Sequence, residues 1–349
     1  MEYDGIEFFN VAELSRRPNQ PGAFLERWPA EVRNALDGRR VARVTANCEL
    51  RFVTESKSIE VTLRSINEDC PVHVFCGDYL HSTCTLQGDR IQTLEIERND
   101  RFEENLRSKA TEWGRYHPRV WRIVPGKGRI TYHGIETHES VRPPKNEEVP
   151  STRWLAYGSS ITHGYDAFDS NNSYVATAAR ELGIDVLNMG MAGNCRIEKE
   201  AADYFAARDD WDLLTAELGV NVLQAYTVEE FFERSHYFIT TIAEAHPEKP
   251  LCIVTIFPNH YTPEKYTSPE QIGKHCSNEL AFNKCLRGIV RDGAFSNVTL
   301  VEGADILTSP EFLTVDLVHP SDYGMIEMGK NLARYLCPLL PSSIPSVSA

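Results

Sequence analysis

The strongest constraint on the fold is a change in the pattern of apolar residues at the proline-rich, charged stretch of residues 142–150. After this stretch, short apolar segments alternate with segments of helical length. This alternation predicts an open, parallel, doubly wound α/β sheet with helices on both faces. The expected strands are residues 154–157, 185–189, 213–217, 251–257 and 298–302, and the expected helices are residues 174–182, 198–207, 228–245, 278–291 and 322–336.

Before residue 142 the chain is typical of a β domain. Ile59, Val61 and Leu63 alternate with polar residues, as in a strand with one solvent-facing side. Several such segments predict a β-sandwich or jelly roll. Apolar residues recur at helical spacing over residues 23–36, which predicts a preceding helix. The expected strands are residues 41–46, 49–54, 58–64, 71–76, 79–86, 90–97, 119–124 and 129–135.

The length of 349 residues permits two domains. We expect a β-sandwich domain, similar to carbohydrate-binding domains, over residues 1–145 and an α/β domain over residues 151–340. The Pro-rich stretch between them has the composition of a domain boundary.

The net charge of −14 argues against nucleic acids and anionic membranes as partners. No apolar run reaches the 18 residues that a spanning helix needs. The N-terminus lacks the basic stretch and apolar core of a secretory signal, so the expected location is cytoplasmic.

The nine cysteines are scattered and include no CxxC pair, so we expect buried, reduced thiols. His73, Cys76, His81 and Cys84 have a spacing that resembles zinc ligands. However, Gly77 and Asp78 predict a hairpin turn, and strand alternation directs His73 and Cys76 to opposite faces. The sequence therefore predicts no metal site there.

Glycine-rich or polar segments follow the predicted strands of the second half. Because the carboxyl ends of parallel strands share one edge, we expect these segments to meet. They are residues 158–164, 188–194 and 219–221, and residues 316–320 before the last helix add an aspartate and a histidine.

Together these segments hold the groups that acyl transfer requires, namely a nucleophile, a base, an orienting group and oxyanion donors. Ser160 is the candidate nucleophile in a sharp strand-to-helix turn. His319 is the candidate base, and Asp316, three residues earlier, can orient it. The backbone N–H groups of Ser160 and Gly193, with the side-chain amide of Asn221, are the candidate oxyanion donors.

The four segments resemble the motifs of the SGNH hydrolase superfamily, also called the GDSL esterases. The Gly-Asp-Ser-[Ile/Leu]-Thr block matches residues 158–162, the second-block glycine matches Gly193, the Gly-x-Asn block matches residues 219–221, and Asp-x-x-His-Pro matches residues 316–320. The resemblance implies a flavodoxin-like fold with a five-stranded sheet, Ser160 as nucleophile, and no cofactor or metal. Two positions depart from the motifs, since Ser159 and Val222 stand where the family commonly has aspartate.

A β domain joined to such a domain resembles the two-domain carbohydrate esterases that deacetylate sugars. The expected activity is therefore hydrolysis of short acyl esters, with acetyl as the expected group, on a carbohydrate or other hydroxylated small molecule. One alternative is an acyltransferase that uses the same triad on a sugar or secondary-metabolite acceptor. A different alternative is a non-catalytic carbohydrate-binding protein, against which the complete set of catalytic residues argues.

Three further side chains are candidates for substrate contact. His163 lies close to the candidate nucleophile, as a loop or pocket-wall residue or as a substrate contact. Trp113 and Trp121 either stack on a substrate ring or belong to an ordinary core.

Overall fold

The computed structural model describes residues 1–105, 114–262 and 274–340, and the chain divides into two compact units. One unit contains residues 1–30 and 42–151. The other contains residues 31–41 and the chain from Thr152 onward. Residues 31–41 thus belong to the second unit, although the residues before and after them belong to the first.

Two antiparallel sheets form the first unit. The strands are β1 (Glu2–Tyr3), β2 (Ile6–Phe9), β3 (Glu13–Arg17), β4 (Gln20–Glu26), β5 (Glu49–Thr54), β6 (Ser58–Ser65), β7 (Cys70–Cys76), β8 (Tyr79–Leu86), β9 (Ile91–Glu97), β10 (Trp121–Pro125), β11 (Ile130–Thr137) and β12 (Val141–Arg142). One sheet has the order β1-β2-β5-β10-β7-β8, with β12 also paired to β5, and the other has the order β3-β4-β11-β6-β9. Leu50 and Phe52 of β5 share one buried core with Val61 and Leu63 of β6. The β-sandwich prediction is confirmed.

The predicted helix over residues 23–36 is wrong in its first half. Residues 23–25 belong to β4, where Phe24 pairs with Thr131 of β11. The helix of this region, α1, spans only Ala30–Ala35. The expected strand at residues 41–46 is also wrong, because Val41–Arg43 is a 3-10 helix. Short apolar runs do not distinguish helix from strand, and pairing with a distant strand decides between them.

The hairpin of β7 and β8 follows the prediction. Gly77 has a φ of 59° at the turn, and burial alternates along β7, so that His73 and Cys76 differ in their exposure. The cysteines whose side chains the structure describes are free thiols.

The second unit contains a five-stranded parallel sheet, as predicted. Its strands are β13 (Arg153–Tyr157), β14 (Asp185–Asn188), β15 (Leu213–Glu217), β16 (Leu251–Val254) and β17 (Val298–Val301). Their order is β14-β13-β15-β16-β17, and each neighbouring pair is parallel. This is the flavodoxin-like order, in which the chain after β13 leaves the sheet at the switch point where ligands bind.

Helices cover this sheet. Helix α2 (Asp100–Asn105) belongs to the first unit. The helices of the second unit that follow β13 are α3 (Ser160–His163), α4 (Tyr174–Leu182), α5 (Lys199–Ala207), α6 (Val228–Ala245), α7 (Lys274–Asp292), α8 (Gly303–Ile306) and α9 (Asp322–Leu336). Ser173 caps α4 by accepting the N–H of Ala176, and Gly183 ends that helix with a φ of 69°. Val175 of α4 and Leu332 of α9 are fully buried in one core cluster. Among the described helices, none has both the length and the apolar character to cross a bilayer.

Candidate active site

The chain turns sharply from β13 into the single-turn helix α3. Ser159 caps α3, because its Oγ accepts the N–H of Ile161 at 3.2 Å. A Cβ added to Gly158 would lie 2.2 Å from Thr162 Oγ1, so only glycine permits this tight approach. Ser160, the first residue of α3, is 7% exposed at the carboxyl edge of the sheet.

Ser160, His319 and Asp316 form a hydrogen-bonded series. Ser160 Oγ lies 2.8 Å from His319 Nε2. His319 Nδ1 lies 2.6 Å from Asp316 Oδ2. The structure therefore brings the three predicted triad residues together, although His319 is 159 positions from Ser160 in the chain. A hydroxyl, an imidazole and a carboxylate in this sequence can activate an alcohol as a nucleophile.

The loop before α9 fixes the carboxylate of this series. Asp316 Oδ1 accepts the backbone N–H groups of Val318 and His319, each at 2.9 Å, and the Thr314 hydroxyl at 2.8 Å. Leu317 adopts a φ of 55° within this tight loop. Partial burial acts to raise the pKa of Asp316, but the hydrogen bonds from His319, Val318 and Thr314 outweigh it and hold that pKa well below its usual range. Asp316 is thus an ionised acceptor at neutral pH.

Two residues that the sequence reasoning missed lie beside the imidazole. Asp166 Oδ2 is 3.7 Å from His319 Nδ1, and the Tyr165 ring centre is 4.8 Å from that of His319. Their position directly after Gly164, which ends α3, is the signal that could have indicated them. The ligand atoms of Asp166, Asp316 and His319 lie within 4.8 Å of one another. A metal on Nδ1 would compete with the short hydrogen bond between Nδ1 and Asp316.

The candidate oxyanion donors Gly193 and Asn221 line the same cavity as Ser160 and His319. Gly193 has a φ of 66°, a conformation that favours glycine. Asn221 Oδ1 accepts the N–H of Cys195 at 3.0 Å, which leaves its Nδ2 as the donor end of the amide. A Cβ added to Gly190 would lie 2.3 Å from the backbone nitrogen of His163, so the loop after β14 packs directly on α3.

The triad opens into a cavity of about 550 Å³. Its walls combine small apolar side chains with a few amides and two tyrosines. The lining residues are Ser160, Tyr165, Ala192, Gly193, Val220, Asn221, Leu223, Gln224, Ala225, Asn259, Tyr261, Val318 and His319. This volume and mixture of groups suit a small organic ligand.

The other predicted contact residues lie elsewhere. His163 is 3% exposed beneath Gly190 and is not among the lining residues, which favours the loop interpretation. Trp121 is 3% exposed in the sandwich core. Its ring contacts His81, with ring centres 5.4 Å apart. Of the two alternatives for Trp121, this burial favours the ordinary core over substrate stacking, because a core ring offers no face to a ligand. Trp113 lies outside the described residues.

A flavodoxin-like sheet with serine, histidine and aspartate at its carboxyl edge defines an SGNH-type hydrolase domain. The profile of the GDSL-like lipase/acylhydrolase family matches residues 152–337, and the chain belongs to this family.

Solved structures with the same fold include esterases and an acyltransferase. A salicylyl-acyltransferase from a tetracycline biosynthetic pathway is 16% identical, with a TM-score of 0.77 over 96% of this chain and 95% of that chain. A putative GDSL-like lipase from Bacteroides ovatus is 15% identical, with a TM-score of 0.67 over 96% and 98% of the two chains. A family two carbohydrate esterase from Cellvibrio japonicus is 12% identical, with a TM-score of 0.62 over 97% and 96%. No curated protein sequence matches the chain significantly.

Proposed function

We propose that the protein is a serine ester hydrolase that removes short acyl groups, with acetyl as the expected group, from a carbohydrate or another hydroxylated small molecule. The hydrogen-bonded series from Ser160 through His319 to Asp316, with separations of 2.8 and 2.6 Å, carries this proposal. The cavity that Gly193 and Asn221 also line supports it. The net charge of −14 supports a small-molecule substrate over a nucleic acid or a membrane surface.

In the proposed reaction, Ser160 Oγ attacks the ester carbonyl carbon while His319 Nε2 takes the hydroxyl proton. The carbonyl electron pair moves onto oxygen, where the N–H groups of Ser160 and Gly193 and the Asn221 amide stabilise the charge. Collapse of this intermediate breaks the bond to the alcohol, which leaves with the proton from His319. Water then attacks the acyl-enzyme in the same way, which releases the carboxylic acid and restores Ser160.

The test is hydrolysis of p-nitrophenyl acetate together with the intact mass of the protein. Ser160→Ala should lower the rate by at least about 10³-fold and abolish acylation. The matched control Ser296→Ala, at an exposed serine of the same unit, should keep the wild-type rate. Wild-type activity in Ser160→Ala would overturn the proposal. A folded wild-type protein that binds sugars without being acylated would favour a non-catalytic carbohydrate-binding protein.

An acyltransferase is the second candidate function, and the apolar part of the cavity favours it. Val220, Leu223 and Ala225 line the cavity, and apolar side chains there would disfavour water beside an acyl group on Ser160. In this reaction an acceptor alcohol replaces water in the second half. Both activities use the same acyl-enzyme, so the products distinguish them.

A further inference from the structure

A buried carboxyl group lies beneath the nucleophile turn. Glu217 is the last residue of β15 and is 1% exposed. Its Oε2 accepts the backbone N–H of Ser159 at 2.7 Å and the Thr162 hydroxyl at 3.4 Å. Ser160 therefore lies between two residues that bind the same carboxyl group.

The fit between this carboxyl group and the turn is close. A Cβ added to Gly158 would lie 2.8 Å from Glu217 Oε2. Thr162 Oγ1 also forms a hydrogen bond with the Tyr174 hydroxyl at 2.8 Å. A change in the size of the Glu217 side chain would therefore act on the backbone next to Ser160 and not merely on a flexible side chain.

Glu217 is also linked to the oxyanion side of the site. Its carbonyl oxygen accepts the Cys195 thiol at 3.7 Å, and the Cys195 N–H donates to Asn221 Oδ1 at 3.0 Å. One residue at the end of β15 thus contacts the nucleophile turn through its side chain and, through its backbone carbonyl, contacts Cys195, which in turn binds Asn221.

The charge of Glu217 changes near neutral pH. Burial raises the pKa of Glu217 to about 7, although hydrogen bonds from Ser159 and Thr162 act in the opposite direction. The titratable groups that face it are the Tyr174 hydroxyl of α4 and the Cys195 thiol. Burial raises the pKa of each, so both are neutral. Within the described residues Glu217 Oε1 has no hydrogen-bond partner, so a proton on that oxygen has no acceptor.

We propose that Glu217 is a positioning residue whose ionised carboxylate holds the turn at residues 158–162 so that Ser160 reaches His319. The inference rests on the proposed function, since it takes Ser160 as the nucleophile. An ionised acceptor holds an N–H more strongly than a neutral one. Full reactivity of Ser160 therefore requires two deprotonated groups, the Glu217 carboxylate and the His319 imidazole.

The experiment measures the labelling of Ser160 by a fluorophosphonate as a function of pH, followed by intact mass. In this step the Ser160 Oγ–P bond forms, the P–F bond breaks, fluoride leaves, and His319 takes the proton. The variant is Glu217→Gln, which keeps the shape and removes the charge. The control is Glu198→Gln, at another carboxyl group of the same unit whose pKa burial raises. Values of kcat and KM for p-nitrophenyl acetate are measured in parallel.

For the wild type, we expect the acid-side slope of log rate against pH to exceed 1 over about one pH unit, because loss of the Glu217 charge adds up to about tenfold to the fall caused by protonation of His319. Glu217→Gln should give a slope of about 1, with kcat at pH 8 lowered about tenfold and KM within about twofold of wild type, because the substrate-lining residues are unchanged. Glu198→Gln should keep the wild-type slope.

Equal slopes in wild type and Glu217→Gln would overturn the positioning role. A wild-type slope of about 1 would overturn it even if thermal melting shows that Glu217→Gln does not fold. If the folded wild type is not labelled at Ser160 at any pH, the proposed function itself fails, and this outcome is separate from the other two.

Discussion

Asp316 holds His319 at two points, since Oδ2 accepts the ring Nδ1–H at 2.6 Å and Oδ1 accepts the backbone N–H at 2.9 Å. With the proton on Nδ1, Nε2 is the acceptor that faces Ser160 at 2.8 Å. The same carboxylate thus orients the ring and stabilises the loop from which the ring projects. A second carboxylate, that of Asp166, lies 3.7 Å from Nδ1.

This arrangement predicts unequal losses at the base and at its orienting group. His319→Ala should lower kcat by about 10⁴-fold or more, because the group that takes the proton is gone. Asp316→Ala should lose less, about 10²-fold, because Asp166 can partly replace it as the acceptor for Nδ1. The measurement is steady-state hydrolysis of p-nitrophenyl acetate.

The double variant Asp166→Asn, Asp316→Ala tests the part assigned to Asp166. Its activity should fall towards that of His319→Ala, while Asp166→Asn alone should change kcat only a few-fold. If the double variant is no worse than Asp316→Ala, Asp166 has no orienting role.

A second prediction separates the oxyanion donors from the cavity wall. Asn221→Ala should lower kcat by about 10²–10³-fold with a smaller change in KM, because the amide acts on charge that develops only in the transition state. Gln224→Ala, at another lining amide, should mainly raise KM. Stopped-flow or steady-state kinetics on one ester checks both variants. The same pattern in the two variants would contradict the role of Asn221 as an oxyanion donor.

The sequence predicts the framework of the second unit well because its signals are local. The helices at residues 174–182, 228–245 and 322–336 and the strand at residues 213–217 have the predicted bounds. Each of these helices begins at a serine or threonine whose side chain accepts a backbone N–H of the first turn. The spacing of apolar residues then determines which face of each helix is buried.

What the sequence does not predict depends on distant contacts. Residues 23–25 become a strand because β11 pairs with them. Glu217 ends an apolar strand, and its contact with Ser159 exists only because β13 and β15 are neighbours in the sheet. Asp166 similarly reaches His319 across the site. Such relationships follow from the sheet order and not from a local pattern.

A third prediction concerns Glu279, a 2% exposed carboxyl group that accepts the Thr262 hydroxyl at 2.8 Å and the Asn259 amide at 3.2 Å. Burial raises the pKa of Glu279 to about 7, against the effect of these two hydrogen bonds. The folded state therefore binds the proton more tightly than the unfolded state, whose carboxyl group has a pKa of about 4.3. The stability from this group is fully present below about pH 4.3 and is lost, by up to roughly 3 kcal/mol, as the pH rises to about 7.

Glu279→Gln should therefore reduce the fall in Tm between pH 5 and pH 8, because the amide does not titrate. The amide keeps both contacts, since the Thr262 hydroxyl can also accept a hydrogen bond. Thermal melts at the two pH values measure the difference, with Glu311→Gln, at an exposed glutamate, as the control. An unchanged fall in Tm would show that burial of Glu279 does not penalise its charge.

The last prediction separates hydrolysis from acyl transfer by the fate of the acyl-enzyme. Water is present at about 55 M, so an acceptor outruns it only where the cavity gives that acceptor a large effective concentration. The cavity of about 550 Å³ presents mainly small side chains and amides near Ser160. The exposed Tyr165 ring against His319 offers a surface for an alcohol.

We expect free acid to exceed acylated product when a short acyl ester is supplied with sugars or aromatic alcohols at millimolar concentration, with products followed by mass. Tyr165→Ala should then leave hydrolysis within a few-fold of wild type, because water needs no stacking surface. Acylated acceptor in excess of free acid would instead identify a transferase. In that case Tyr165→Ala should reduce transfer far more than hydrolysis, because the alcohol that receives the acyl group must approach His319, which takes its proton.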